Sequence, residues 1–371
     1  MTGPFFFTVF GEPGTKRPDH DEIFYSGWQS PSNIAIVKYW GKKEDQLPVN
    51  PSLSMTLNLA VTRTSLTAVC DEIRPGLVAV NGDHDHPFIP KMQGLLNRLV
   101  SEIPCLGLLS FQAETSNTFP HSTGIASSAS GISAFALCLL DIACNIMKVE
   151  LPPDEWRQAV SIVSRLGSGS ACRSVFGGFA VWGTSPLLPG SSDEFAVSVN
   201  SRVHPAFTSL HDAILVVSAK QKEMPSTKGH QSMNTHPFLP GRILQANRNL
   251  GDVLHALSVN DFEQLCQVAE NEALSLHALI MSANPPVILM QPATLEIIRR
   301  VREARKSGLP LFFTLDAGAN VHILYPAEAA PEVEKFIREE LSGFCENGRV
   351  IFDSCGAGPV RLTANEAIFP G

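Results

Sequence analysis

Small residues crowd the stretch from Phe119 to Gly131, which reads Phe-Pro-His-Ser-Thr-Gly-Ile-Ala-Ser-Ser-Ala-Ser-Gly. Apolar residues then recur every three or four positions from Ile132 to Ile146, the spacing of a buried helix. A loop entering a helix offers unpaired N–H groups and the positive end of the helix dipole to an anion. We therefore interpret this stretch as a phosphate-binding loop, with a Ser-rich cap on a core helix as the alternative. Neither the Walker sequence nor the dinucleotide fingerprint is present.

Two shorter stretches place cations beside aromatic or small residues. A short apolar strand delivers Lys38, Tyr39 and Lys42 into a glycine turn, where they can grip an anion. Arg173 follows a Gly/Ser-rich stretch that begins at Gly167, a setting that suits bidentate capture of a carboxylate or phosphate. The alternatives are a solvated basic turn and a flexible loop with an exposed arginine.

The second half of the chain contributes two further candidates. Pro225-Ser-Thr-Lys-Gly offers hydroxyls and a cation in a loop after a predicted strand. Asp316 stands at the end of the apolar strand Leu311 to Leu315, among small residues. A carboxylate leaving a buried strand can serve as a general base or as the partner of a lysine, although most such aspartates only start turns.

Length and composition limit the class of protein. A chain of 371 residues with 44% hydrophobic and 17% charged residues predicts two globular domains. A net charge of −8 argues against general nucleic-acid binding, but a few cations focused in a cleft still accommodate an anionic small molecule. The 8 cysteines show no zinc spacing, and no signal segment or run of about 18 apolar residues is found. We expect a cytoplasmic protein without a membrane span.

The order of the predicted elements indicates an α+β fold. In the N-terminal half strands precede the helices that cover them, which differs from βαβ repeats. After about His204 a new pattern of strands and helices predicts helices packed on an antiparallel sheet. We therefore expect an extension over residues 1–26, an N-terminal domain over 27–204 and a C-terminal domain over 205–371.

Taken together, the motifs resemble those of the diphosphomevalonate decarboxylases, a family within the GHMP kinase superfamily. The resemblance runs from about Ser30 to the C-terminus and rests on five stretches in the expected order: Ser32-Asn-Ile-Ala-Ile-Val-Lys-Tyr-Trp-Gly-Lys, Phe119-Pro through Ala126-Ser-Ser-Ala-Ser-Gly, Ser168-Gly-Ser-Ala-Cys-Arg-Ser with Gly177-Gly, Ser226-Thr-Lys-Gly, and Asp316-Ala-Gly. It implies a ribosomal-protein-like N-terminal domain and a ferredoxin-like C-terminal domain, with the active site in the cleft between them.

The resemblance also implies a reaction. ATP, with Mg²⁺, would phosphorylate the tertiary 3-hydroxyl of mevalonate 5-diphosphate, and loss of that phosphate with CO2 would give isopentenyl diphosphate. Phosphoryl transfer needs alignment and cations more than covalent help. We expect no fixed protein site for a metal, and the resemblance suggests a homodimer.

Carried over by matching position, the family's residues fall on the candidates above. Asp316 would orient or deprotonate the hydroxyl, and Lys38 would stand beside the transferring phosphoryl group. Arg173 would hold the substrate carboxylate, with Asn33 orienting the guanidinium. The substrate diphosphate would be gripped by Tyr39, Lys42, Ser168, Ser170 and Ser226. The nucleotide would be contacted by Ser122, Gly124, Ala126, Ser127 and Ser128.

One position departs from the family. Where the family commonly has Pro-Thr-Ala-Ala-Gly, this chain has Pro-His-Ser-Thr-Gly, so the imidazole of His121 stands beside the phosphate loop. It would hydrogen-bond backbone or, if it touches substrate, alter the choice between mono- and diphosphate. The alternative functions are a phosphomevalonate decarboxylase, a kinase that stops after phosphorylation, and a non-catalytic anion-binding protein.

Overall fold

The computed structural model describes residue 18 and residues 22–71, 73, 75–119, 127–220 and 226–363, without the side chains of 226–228. The strands are β1 (Ile23–Val37), β2 (Ser52–Cys70), β3 (Gly76–Val80), β4 (Leu109–Asn117), β5 (Phe179–Trp182), β6 (Ala196–Ser198), β7 (His211–Leu215), β8 (Phe312–Thr314), β9 (Val321–Tyr325), β10 (Val350–Ser354) and β11 (Val360–Arg361). The α-helices are α1 (Ile89–Leu99), α2 (Ser127–Met147), α3 (Pro153–Gly167), α4 (Ser226–Ser232), α5 (Leu239–Val259), α6 (Phe262–Met281), α7 (Pro292–Lys306) and α8 (Ala330–Phe336).

Among the described residues, the first sheet has seven strands in the order β11-β1-β2-β4-β3, with β5 also paired to β2 and β6 to β5. All of its pairs are antiparallel except β3 with β4, which are parallel and joined through α1. The first half therefore contains one βαβ unit within the α+β arrangement that the sequence predicts. Helices α1, α2 and α3 bury their apolar faces against this sheet.

The second sheet, in the part of the chain that the structure describes, has four strands in the order β10-β7-β9-β8. All of its pairs are antiparallel, as the sequence predicts. Its apolar side chains share a core with Ile297 and Val301 of α7 and with Val333 of α8. The apolar spacing predicts a last helix from Pro331 to Leu341, but the α-helix ends at Phe336, because residues Ile337–Leu341 form a π-helical turn. The α+β fold class is confirmed.

A core of apolar side chains shared by the two sheets joins them and fixes the end of β1. Ile34 and Ile36 of β1 are fully buried together with Leu250 of α5, Leu265 of α6 and Phe312 of β8. Because these side chains come from both halves of the chain, burial in one core holds the two halves at a set separation. The cleft between them is built at this junction.

A buried carboxylate forms a second link between the two sheets. The pairing of β1 with β2 is interrupted by a bulge beside Asn33. The backbone N–H groups of Asn58, Leu59 and Ala60 donate there to the buried carboxylate of Asp353, from β10, at 2.9, 2.8 and 2.7 Å. Asp353 thereby satisfies backbone donors of the first sheet from within the second.

The two ends of the described chain differ from the expected domain limits. Strand β1 begins at Ile23, inside the segment that we interpret as an extension. Strand β11 returns from the C-terminal half to pair with β1 in the first sheet. A segment near either end has partners far away in sequence, and local pattern does not reveal them.

Helix α2 corrects the sequence-based argument about membranes. It has 21 residues and is apolar enough to cross a bilayer by length and composition, despite Asp141. In the structure, 78% of its most apolar window is buried inside the protein. The helix forms the centre of the first core, and its composition reflects burial among protein side chains.

Candidate active site

A cavity of about 470 Å³ opens where β1 ends, between the two halves of the chain. The structure brings to it most of the described residues that the sequence predicts for the site: Asn33, Lys38, Tyr39, Lys42, Ser128, Ser168, Ser170, Arg173 and Asp316. They come from the end of β1, the start of α2, the loop after α3 and the end of β8, all far apart in sequence.

Lys38 and Asp316 form an ion pair on the wall of this cavity. Lys38 Nζ lies 3.3 Å from Asp316 Oδ1, and Lys38 is only 2% exposed, whereas the Asp316 side chain is 28% exposed. Burial lowers the pKa of Lys38, and the carboxylate of Asp316 partly offsets that effect. His277 Nε2 lies 3.1 Å from the backbone carbonyl oxygen of Asp316. This contact fixes the backbone that carries the carboxylate.

Arg173 lies buried on the adjoining wall of the cavity. Its Nε and Nη2 donate to Asn33 Oδ1 at 3.4 Å each, and its Nη1 donates to Ser52 Oγ. Asn33 is held in turn by donation from its Nδ2 to Ser174 Oγ at 2.7 Å. Burial lowers the pKa of Arg173, but an arginine stays protonated in proteins. The guanidinium is thus an oriented, fixed positive charge.

Tyr39, Lys42 and Lys91 surround another part of the cavity. Lys42 Nζ donates to Gln46 Oε1 at 2.9 Å, and Lys91 Nζ donates to Ser128 Oγ. Burial and the neighbouring charge of Lys42 lower the pKa of Lys91 to about 8. The charge of Lys42 thus disfavours protonation of Lys91, and the two cations together make this part of the cavity a site for an anion.

The loop after α3 approaches Tyr39 so closely that only glycine is accommodated. A Cβ atom on Gly169 would lie 2.7 Å from the Tyr39 hydroxyl and 2.8 Å from the Trp182 ring. Tyr39 also packs on Trp182, with ring centroids 4.7 Å apart. The Gly/Ser composition of this loop therefore has a packing reason in addition to any role in binding.

A buried ion pair holds the backbone of Lys38. Both carboxylate oxygens of Glu272 accept from Arg242, at 2.6 and 2.7 Å, and Asn249 Nδ2 donates to the same carboxylate at 2.6 Å. The backbone N–H of Lys38 donates to Glu272 Oε2 at 2.8 Å. The carbonyl oxygen of Lys38 accepts from Arg242 Nη2 and Asn50 Nδ2, at 2.9 Å each. Helices α5 and α6 thereby fix the position of the lysine.

Comparisons with known proteins agree with this geometry. A family model described as the diphosphomevalonate decarboxylase-like N-terminal domain matches residues 30–193, and one described as the mevalonate 5-diphosphate decarboxylase C-terminal domain matches residues 213–359. The diphosphomevalonate decarboxylase of Ganoderma lucidum is 31% identical over 337 residues, covering 85% of this chain and 82% of that protein. The chain belongs to the diphosphomevalonate decarboxylase family.

Two further relatives support the assignment. The diphosphomevalonate decarboxylase of Candida albicans is 32% identical over 310 residues, covering 80% of this chain and 83% of that protein. A solved structure of MDDEF in complex with MVAPP, AMPPCP and magnesium superposes with a TM-score of 0.77 at 29% identity, covering 92% of this chain and 99% of that chain. The resemblance expected from the motifs is confirmed, and so is the class of enzyme, an ATP-dependent carboxy-lyase.

Some of the residues predicted from the family do not line the main cavity, and others lie outside the described part of the chain. Ser127 lines an adjoining cavity of about 120 Å³ whose other walls include Phe88, Met92 and Lys91. Ser122, Gly124, Ala126 and His121 lie outside the described residues, and so does the side chain of Ser226, whose backbone begins α4. Their predicted roles in this decarboxylase family member stay predictions.

The motif analysis missed several residues of the site. Lys91 lies in a helix, and His230 directly follows the Pro-Ser-Thr-Lys-Gly motif without being part of it. Glu272 and Arg242 read as ordinary charged positions on helices. Only the helical spacing in α5, which places Arg242 on the same face as buried Ala246 and Asn249, gave a signal.

Proposed function

We propose that this chain converts mevalonate 5-diphosphate and ATP to isopentenyl diphosphate, ADP, phosphate and CO2. The observation that carries the proposal is the arrangement of Asp316, Lys38 and Arg173 around one cavity. A carboxylate, a buried ammonium and a buried guanidinium are the groups that such a reaction requires. The substrate and nucleotide named for the related MDDEF structure are of this kind.

Asp316 is the acidic residue on the cavity wall among the described residues. It is placed to accept a hydrogen bond from the substrate's tertiary hydroxyl and to take its proton as the oxygen attacks the γ-phosphorus of ATP. Lys38, 3.3 Å away, neutralises charge that accumulates on the transferring phosphoryl group. The pair therefore serves the first half of the reaction.

Arg173 serves the second half. Its guanidinium can hold the substrate carboxylate so that the C–C bond is aligned for cleavage as the tertiary phosphate departs and positive charge develops at the carbon. The electron pair of that C–C bond becomes the new double bond, and CO2 leaves. A kinase that stops after phosphorylation has little need of this buried cation, which favours decarboxylation.

The cavity also suits the anionic co-substrate. Ser127 and Ser128 begin α2, where backbone N–H groups and the helix dipole favour phosphate, and Lys91 lies beside Ser128. Mg²⁺ is held in proteins by one or two carboxylates together with phosphate oxygens and water. Asp316 would supply a carboxylate, and the ion would offset phosphate charge. ATP and Mg²⁺, expected from the sequence, are thus the co-substrate and the ion of this enzyme.

We further propose that the enzyme is a cytoplasmic homodimer. The eight cysteines are all free, as in proteins of a reducing compartment, and the family resemblance suggests the dimer. Light scattering of the purified protein should give twice the mass of 40.1 kDa, and fractionation of cells should place it with soluble cytoplasmic enzymes. A monomeric mass or an organellar location would contradict the respective part.

The test of the function is ATP-dependent CO2 release from the purified protein. Mevalonate 5-diphosphate and mevalonate 5-phosphate are offered in parallel, and ADP is measured with CO2. We expect ADP and CO2 in equal amounts from the diphosphate alone. Release from the monophosphate would make the protein a phosphomevalonate decarboxylase, ADP without CO2 would make it a kinase, and nucleotide binding without turnover would make it a non-catalytic anion-binding protein.

A further inference from the structure

The imidazole of His230 lies against the turn that carries Tyr39 and Lys42. Its ring centroid is 4.3 Å from that of Tyr39 and 4.8 Å from that of Trp40, and the residue lines the active-site cavity. The backbone N–H of Gly41 donates to His230 Nδ1 at 3.1 Å. The ring is therefore fixed in position by two aromatic contacts and one hydrogen bond.

These contacts determine the protonation of the ring. A backbone N–H can only donate, so Nδ1 must present its lone pair to Gly41. Burial and the positive charge of Lys42 lower the pKa of His230 to about 3, and the ring is neutral at physiological pH. In a neutral imidazole with an unprotonated Nδ1, the hydrogen is on Nε2. His230 is thus a fixed N–H donor.

The Nε2–H donor has no partner among the residues that the structure describes, where the hydrogen bond of the His230 ring is made by Nδ1. The cavity beside the ring contains the Lys42 and Lys91 ammonium groups. A neutral donor next to two cations is suited to an anion with several oxygens, because it adds a hydrogen bond without further like-charge repulsion.

We propose that His230 is a further substrate-binding residue, whose Nε2–H donates to the diphosphate of the substrate. The assignment rests on the proposed function for the identity of the substrate, and on the geometry above for the donor. It places His230 with Tyr39 and Lys42 at the diphosphate end of the cavity, away from the Lys38 and Asp316 pair. It contributes to substrate affinity and leaves the chemical steps to other residues.

The experiment compares two substitutions with the wild-type enzyme. In His230→Asn the amide oxygen can replace Nδ1 as the acceptor for Gly41, but the donor at Nε2 is lost. In His230→Gln the amide reaches the Nε2 position and restores a donor. His255→Asn, on the exposed part of α5, is the matched control. Binding of mevalonate 5-diphosphate and of inorganic pyrophosphate is measured by calorimetry, and kcat and KM by CO2 release.

We expect His230→Asn to weaken binding of both diphosphates roughly 10- to 100-fold, the usual effect of losing a hydrogen bond to a charged group. The kcat and the KM for ATP should change less than about threefold, and His230→Gln should recover part of the affinity. Unchanged affinity in His230→Asn would overturn the proposal. So would a rise in the KM for ATP alone, which would assign the donor to the nucleotide.

The two proposals fail in different ways. The affinity for inorganic pyrophosphate, measured by calorimetry, tests the Nε2–H donor of His230 whether or not the wild-type enzyme releases CO2. If His230→Asn does not fold, His230→Gln is compared with the wild type and with a third variant, His230→Phe, which has no donor. Wild-type affinity in His230→Gln would support the donor, and a loss equal to that of His230→Phe would overturn it. Absence of CO2 release by wild-type protein would contradict only the proposed function.

Discussion

The carboxylate of Glu272 accepts the backbone N–H of Lys38 at 2.8 Å, so a buried residue of α6 sets the position of a residue at the end of β1. The same carboxylate is neutralised by Arg242, whose guanidinium also donates to the Lys38 carbonyl. Both peptide groups of Lys38 are thus bound to one buried ion pair from the other half of the molecule. The catalytic ammonium is positioned through its backbone as well as its side chain.

Replacing Glu272 with Gln should be costly, because Arg242, which is 3% exposed, would become an uncompensated buried charge. We expect a loss of about 3–5 kcal/mol in the free energy of unfolding. The kcat should fall as well, since Glu272 also favours the charged form of Lys38. Chemical denaturation and CO2 release measure the two effects. The exposed pair Arg299–Glu303 supplies the control, and Glu303→Gln should change stability by less than about 1 kcal/mol.

Replacing Asp316 with Asn should remove most turnover and little affinity. A positioned general base contributes typically about 100- to 10,000-fold to the rate, and its contribution is made in the transition state. We expect kcat to fall within that range while the dissociation constant of the substrate stays within about threefold. Calorimetry and single-turnover kinetics provide the measurements. A substantially active variant would refute the role, and Asp85→Asn, an exposed position, serves as the control.

Replacing Arg173 with Lys should separate the two halves of the reaction. Lysine cannot reproduce the planar fork that reaches Asn33, Ser52 and a carboxylate together. We expect kcat/KM for CO2 release to fall roughly 10- to 100-fold, the effect of losing a charged hydrogen bond. The ratio of ADP to CO2 should rise above one. Near-normal kinetics with a ratio of one would mean that Arg173 does not hold the carboxylate.

The lowered pKa of Lys91 leads us to expect that substrate affinity depends on pH. With a pKa of about 8, its ammonium is charged at pH 7 and mostly neutral at pH 9. Loss of that charge weakens attraction to phosphate, so the KM for the anionic substrates should rise up to roughly tenfold between these pH values. Lys91→Arg, which stays charged, should flatten this part of the profile. A wild-type KM independent of pH over this range would argue against a role for Lys91.

Replacing Asp353, which does not line the cavity, should lower the stability of the protein. Asn in its place can accept with one oxygen only, and its NH2 group would face backbone N–H donors of β2. We expect Asp353→Asn to lower the free energy of unfolding by about 1.5–3 kcal/mol. Asp83→Asn, which keeps an amide oxygen for the single N–H that Asp83 accepts, from Asp85 in an exposed turn, should cost much less. Equal losses in the two variants would show that Asp353 does not join the sheets.

Local sequence pattern was sufficient for several of the strands and helices and for the chemistry of the motifs. Strand β9 has the bounds that the apolar run from Val321 to Tyr325 predicts. Helices α2, α3 and α6 lie within a few residues of the apolar periods at 132–146, 154–166 and 261–281, because buried faces impose a period that is visible in one dimension. The residue types beside strand ends indicated where Lys38 and Asp316 would do chemistry. Their distance of 3.3 Å was not available from pattern.

The tertiary structure alone decided which of these residues meet and what supports them. Lys91, His230, Glu272 and Arg242 lie on helices whose local sequence resembles that of many solvated or core helices, and their roles depend on partners 30 to 234 positions away in sequence. Strand β11 and Asp353 likewise join segments that are remote in the chain. The sequence by itself thus determined the family, the elements and the reactive groups, whose causes are local. The docking of the two sheets decided the cavity, the buried clamp on Lys38 and the donor at His230, because long-range packing in a shared core has no local signature.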